Sequence, residues 1–164
     1  MIARNSDNVI LYGADWSLNE TCAFNEKLKK RDSTTNLANA TYYDIKTPSG
    51  FVGGDYYYIN GEFVRTEQGT KRHIENVYQE ITGSTQLRLD DFAQTKTYDS
   101  ILSACTYATS AIERLQAEGQ YCVTSRDNTW ETLYTILAEV KEGTRPMPSG
   151  YDEIEPELPV LAWP

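Results

Sequence analysis

The 164-residue chain is poor in histidine, with His73 alone, has three widely spaced cysteines, and carries 15 Lys and Arg against 24 Asp and Glu. Each shortage excludes something. A formal net charge of -9 argues against a phosphate-backbone footprint, which needs clustered cations. Nucleic acid is therefore not an expected partner. The one basic cluster, Lys27, Lys29, Lys30 and Arg31, lies among polar residues without interleaved aromatics. It reads as a solvated face, with an anionic partner as the other reading.

Cys22, Cys105 and Cys122 are odd in number and include no CxxC pair or neighbouring histidine, so neither a disulfide framework nor a zinc site is indicated. They fit folding in a reducing compartment. No secretory h-region opens the chain and no apolar run approaches the length of a membrane span, so no membrane partner is expected. The sequons Asn19-Glu20-Thr21 and Asn39-Ala40-Thr41 then read as coincidence.

The chemistry-bearing residues are sparse and scattered. A nucleophile needs a base in reach, and nothing near Cys22, Cys105 or Cys122 places His73 there. Asp90-Asp91, with Asp44, Asp55 and Asp99 elsewhere, offer carboxylates, but an adjacent pair before a helix reads as solvent-facing or capping. The glycines of "GFVGGDY" lack the Lys, the Ser/Thr and the strand-to-helix setting of a phosphate loop. No catalytic residue, cofactor site or metal ligand is named, and the chain is not expected to be an enzyme. A small hydrolase with an unrecognised carboxylate or Cys-His site is the competing reading.

What the chain does have is tyrosine, twelve against four phenylalanines, a side chain suited to partly covered surfaces because it joins apolar area to a polar tip. The first part reads as β structure. "NVILYGADW" gives a strand at Val9–Tyr12 broken by Gly13, and "ETCAFNEKLKK" is ambiguous between helix and loop. Tyr56–Ile59 and Glu62–Arg65 flank Asn60-Gly61, the pair favoured by a two-residue type I′ turn. Ala40–Lys46 is the expected neighbour of that hairpin in a sheet of about three or four strands, and Gly53-Gly54 marks a bend or bulge.

The period then changes. Ile74, Val77, Tyr78 and Ile81 predict a short helix from Thr70, as N-cap, to Gly83. The polar "RLDDFAQT" reads as a connector. Ile101, Cys105, Ala108, Ile112 and Leu115 form a helical stripe, interrupted at Glu118-Gly119; a second follows at Val123, Arg126, Trp130, Leu133, Leu137 and Val140. On it the Arg126 guanidinium is expected over the Trp130 indole. Gly143 is placed as C′ residue and Pro146 follows. The predicted fold class is α+β: a small antiparallel β lobe, then a helical hairpin and an extended Pro-rich C-terminal tail. The expected division gives 1–97 to the β-rich lobe, ending in the short helix and connector, and 98–164 to the hairpin and tail.

The tail ends on Val160, Leu161 and Trp163, side chains that something should cover. Either it staples the helices of its own chain or it is an adhesive end for a partner. Tyr56, Tyr58, Leu161 and Trp163 are the candidate partner-binding residues.

Tyr98–Pro164 contains "SACTYA" at Ser103–Ala108, "AEGQ" at Ala117–Gln120, "RDNTW" at Arg126–Trp130, "GTRPMP" at Gly143–Pro148 and the final "ELPVLAWP". In this order these segments resemble the C-terminal module of small tail-associated proteins of tailed bacteriophages and prophages. The resemblance covers about two fifths of the chain and not residues 1–97. It implies a non-enzymatic structural or assembly role near the tail fibres or tail tip, with other phage tail or fibre proteins as partners in a symmetric assembly. It also implies location in the virion tail after synthesis in the bacterial host cytoplasm. The final segment is also slightly similar to tail-fibre assembly chaperones. The family carries no defined functional residues onto this chain.

Overall fold

A computed structural model describes all of Met1–Pro164, and the fold is α+β, with small antiparallel sheets and helices. Two compact units divide at Ile74/Glu75. That boundary falls inside a helix and differs from the expected 97/98, because the polar stretch read as a connector is helical.

Unit 1 is built from very short strands. β1 (Ile2–Arg4) is the central strand between β2 (Ile10–Tyr12) on one edge and β6 (Ala40–Tyr42) on the other, with Ile2 opposite Tyr42 and Arg4 opposite Ala40. The neighbour of β6 is thus β1, where the sequence reading had placed the hairpin. Three residues are too few for the alternation of β1 to be detected, and once it is present it fills the space beside β6. The β7 (Tyr56–Ile59) and β8 (Glu62–Arg65) hairpin forms with Ile59 opposite Glu62. Its turn residues Asn60 and Gly61 sit at φ 52° and 90°, as a type I′ turn requires. It lies beside β2, where the Tyr58 amide donates to Asn8 O (2.9 Å) and Gly54 to Ile10 O (2.9 Å).

A third sheet, β3 (Ser17–Leu18), β4 (Ala23–Asn25) and β5 (Lys30–Asp32), occupies the stretch left open between helix and loop. Its β4–β5 turn closes when Asn25 Oδ1 accepts from the Leu28 amide at 2.8 Å. Alternation along β1 separates two clusters: Met1 and Ala3 pack with Ile10, Tyr56, Tyr58 and Phe63, while Ile2 packs with Ala23, Ala40 and Leu18.

α1 (Glu67–Gln94) begins one turn before the expected Thr70 cap and runs through Gly83. Thr66 Oγ1 accepts from the Gly69 amide at 2.9 Å, a stronger signal than Thr70 because it sits directly before the acidic Glu67. The helical hairpin of unit 2 is therefore made by α1 and α3 (Glu113–Glu142), with the short α2 (Ile101–Cys105) and a 3-10 turn, Thr106–Thr109, between them. Val77 and Ile81 meet Leu133 and Ile136, whereas Leu89 and Ala93 meet Cys122. The two helices are antiparallel. The expected break at Glu118-Gly119 falls inside α3; the real one is at 110–112. Gly143, at φ 75°, closes α3 as the left-handed C-cap, where the stop signals placed it.

Candidate functional site

Each unit gathers polar side chains around aromatic ones. In unit 1, β2 delivers Tyr12, and the bend at Gly13 returns Trp16 against it, with ring centroids 4.0 Å apart and planes at 20°. Tyr12 Oη donates to Asp32 at 2.7 Å, Thr35 Oγ1 at 2.6 Å, and Thr34 donates both its hydroxyl (2.6 Å) and its amide (2.8 Å). Hydrogen bonds from Thr34, Thr35 and Tyr12 hold the Asp32 carboxyl well below the usual range. Burial, and then the Asp32 carboxylate, push the Tyr12 phenol up to about 12. At neutral pH this pair is a permanently ionised acceptor and a proton-holding donor, which ties β2 to β5 and supplies no base. Against the stack opens a cleft of about 730 Å³ lined by Tyr12, Trp16, Leu28, Lys46, Pro48 and Phe51.

In unit 2 the centre is Glu118, whose side chain is 4% exposed. It accepts from Lys96 Nζ (2.8 Å), Tyr98 Oη (2.7 Å) and Arg114 Nη1 (3.0 Å). Hydrogen bonds from Lys96 and then Tyr98 outweigh desolvation and bring its pKa down to about 2. Tyr98 rises to about 12, first by burial and then through Glu118. Beside Glu118, Gly119 is packed so closely that a Cβ there would collide with the backbone of Tyr107 and Ala108. Lys96 also lies over the Trp163 ring, 4.6 Å from its centroid. The carboxylate thus joins α3, the 95–100 connector and the end of the tail. Sequence reading treated Glu118-Gly119 as a break and missed this role; its only signal was a carboxylate and a glycine adjacent within a helical stripe.

The four candidate partner-binding residues are all engaged inside their own units. Tyr56 meets Phe63 edge-on and Tyr58 packs edge-on to Tyr43, on the inner face of the hairpin. Trp163 stacks on Phe92 at 4.4 Å, donates from Nε1 to Thr95 Oγ1 at 2.8 Å, and with Leu161 packs on the Leu89, Ile101 and Cys122 cluster. Pro159 O accepts from Arg88 and the Ala162 amide donates to Tyr121 Oη, each at 2.8 Å. Of the two possibilities for the tail, the structure has it covering its own helices. Val160, 87% exposed, is the tail residue that points away.

The remaining chemistry-bearing residues are dispersed. His73 has no hydrogen bond to a cysteine, Cys22 and Cys122 are buried, and burial pushes Cys105 up and Cys122 up to about 11, which disfavours thiolate. Asp55 is paired with Arg72 at 2.6 Å. Asp90 accepts from the Ile101 amide (2.8 Å) and so caps α2, while Asp44, Asp91 and Asp99 are exposed. Arg126 turns to Asp127, Nη2 at 2.7 Å, and does not cover Trp130, since the carboxylate offers a charged acceptor where the indole offers only its quadrupole. No group of three or more His, Cys, Asp or Glu is placed to hold a metal ion, and no helix is long and apolar enough to cross a membrane.

Comparison of the chain with protein-family models, curated proteins and solved structures finds no match.

Proposed function

We propose that this protein is a structural component of the tail or tail-fibre apparatus of a tailed bacteriophage, acting by protein-protein contact. The observation that carries the reading is where the five phage-like segments lie in unit 2. From "SACTYA", Ala104 is buried with Ile101 and Cys122, and Ala108 receives Gly119 of "AEGQ". Trp130 of "RDNTW" packs against both clusters of the unit. From "GTRPMP", Gly143 caps α3, Arg145 grips Glu157 through both terminal nitrogens and Met147 packs on the Ile81 and Leu133 cluster. From "ELPVLAWP", Leu158, Leu161 and Trp163 close the two clusters.

A signature whose residues are taken up by caps and packing is that of a scaffold module. A reaction centre would leave polar members of the signature converging on open space. The outward apolar residues Leu87, Leu102, Ile112 and Val160, each about 59 to 87% exposed, are then available to neighbouring proteins.

Quantitative mass spectrometry of gradient-purified particles tests the reading. A constant, stoichiometric signal is expected. Absence from particles with presence in infected lysate would replace it with an assembly chaperone.

A further inference from the structure

The basic cluster, read from sequence as a solvated face, flanks Leu28, and Leu28 is part of the lining of the aromatic cleft of unit 1. Glu26, Lys27, Leu28 and Lys29 form the exposed tip of the β4–β5 hairpin, with Lys30 and Arg31 entering β5, and Leu28, 57% exposed, also lines the cleft. The ion pairs of unit 1 are Arg4 with Asp7, Lys29 with Glu26, Lys71 with Glu67 and Arg72 with Asp55. Lys27, Lys30, Arg31 and, on the cleft, Lys46 are left unpaired. Asp15 is the only carboxylate of the lining.

Unit 2 presents the complement. Pro146–Pro164 contains no Lys or Arg and four exposed acidic side chains; Glu157 is held by Arg145, while Asp152, Glu153 and Glu155 have no ion-pair partner. Two 3-10 turns, Tyr151–Glu153 and Glu155–Glu157, fix them on a strap whose Ile154 and Leu158 are buried beneath. Pro156 faces outward among them, and Val160 follows. An ordered, proline-containing acidic segment with an exposed apolar residue suits an aromatic, lysine-rimmed cleft in shape and charge: little ordering entropy remains to be lost, and opposite charges steer the encounter.

We infer that the occupant of the cleft is the acidic strap of a second copy of this chain. In a protein of net charge -9, a lysine-rich hairpin tip and Lys46 beside an aromatic cleft are matched by the same chain's own acidic strap. Because the two patches differ, the contact is heterologous and generates a ring or an open filament. The inference goes beyond the tail-component reading and does not rest on it; self-association can succeed or fail whatever the particles contain.

Sedimentation equilibrium of the full chain over a range of concentrations tests it. The dissociation constant is expected to rise at least about tenfold between about 0.05 and 0.5 M NaCl. A variant carrying Lys27→Glu, Lys29→Glu and Lys30→Glu should be monomeric, and so should Asp152→Lys with Glu155→Lys. An equimolar mixture of the two should associate again, since each then meets a complementary patch. The substituted side chains are exposed, and unchanged circular dichroism verifies folding. A wild-type chain that is monomeric at low salt, association unaffected by either set, or a mixture that stays monomeric would each overturn the proposal. Binding of only some other acidic protein to the rim would overturn the choice of occupant.

Discussion

Glu118 shows how one buried charge can order three segments. Its three donors come from α3 itself and from the connector after α1, so the carboxylate stabilises only while ionised and while all of them are in place. Its folded-state pKa is depressed from the ordinary 4.5 to about 2. The contribution is therefore complete above the unfolded value and is lost as pH falls through the window between them. Replacing Glu118 with Gln is expected to cost on the order of 2 kcal/mol at neutral pH. Urea titrations at several pH values check this: the variant should also lose part of the acid-dependent decline of the wild type between those values. An identical pH profile in the two proteins would show that the charge is not what joins the segments.

At the level of elements, legibility followed length and period. The β7–β8 hairpin was readable because Asn60-Gly61 permits essentially one turn, and the end of α3 because Gly143 combines with the following prolines. β1, β3, β4 and β5 were not readable, since strands of two or three residues carry no measurable alternation and are held by partners distant in sequence. The helices were misplaced for a different reason. Where α1 and α3 pack, the buried line of α3 passes through Ser125 and Thr129, and Thr85 is buried on α1. Small hydroxylated residues permit close approach, so hydropathy does not register them; Thr129 Oγ1 donates to Ser125 O at 2.7 Å, whereas the buried Thr85 Oγ1 has no hydrogen-bond partner. Gly83 was read as a stop but lies in mid-helix with open space around the position of a Cβ. Gly83→Ala should accordingly stabilise unit 2 by about 1 kcal/mol, seen as a raised urea midpoint; destabilisation would mean that the helix is interrupted there. The candidate site was less legible than the fold. Aromatic content indicated contact surfaces, but Tyr56, Tyr58, Leu161 and Trp163 are used within their own units, and the Tyr12 and Trp16 cleft depends on a bend and a hairpin that meet only in three dimensions.

Across the whole molecule, a β unit presents an aromatic cleft beside a lysine-rich hairpin tip, and a helical unit is held together by the caps and packing of residues 103–164. In the helical unit the tail belongs to its own core. Leu161 and Trp163 cover the cluster of Leu89, Ile101 and Cys122, and Pro159 O satisfies Arg88. Removing Pro159–Pro164 would expose that cluster and is expected to cost about 3 to 5 kcal/mol of unit 2 stability. The direct measurement is urea unfolding of the full chain and of this deletion, followed by the helical circular dichroism band. A helical transition at markedly lower urea is expected in the deletion; an unchanged midpoint would show that the tail is no part of that core and make it an adhesive end held in reserve for a partner.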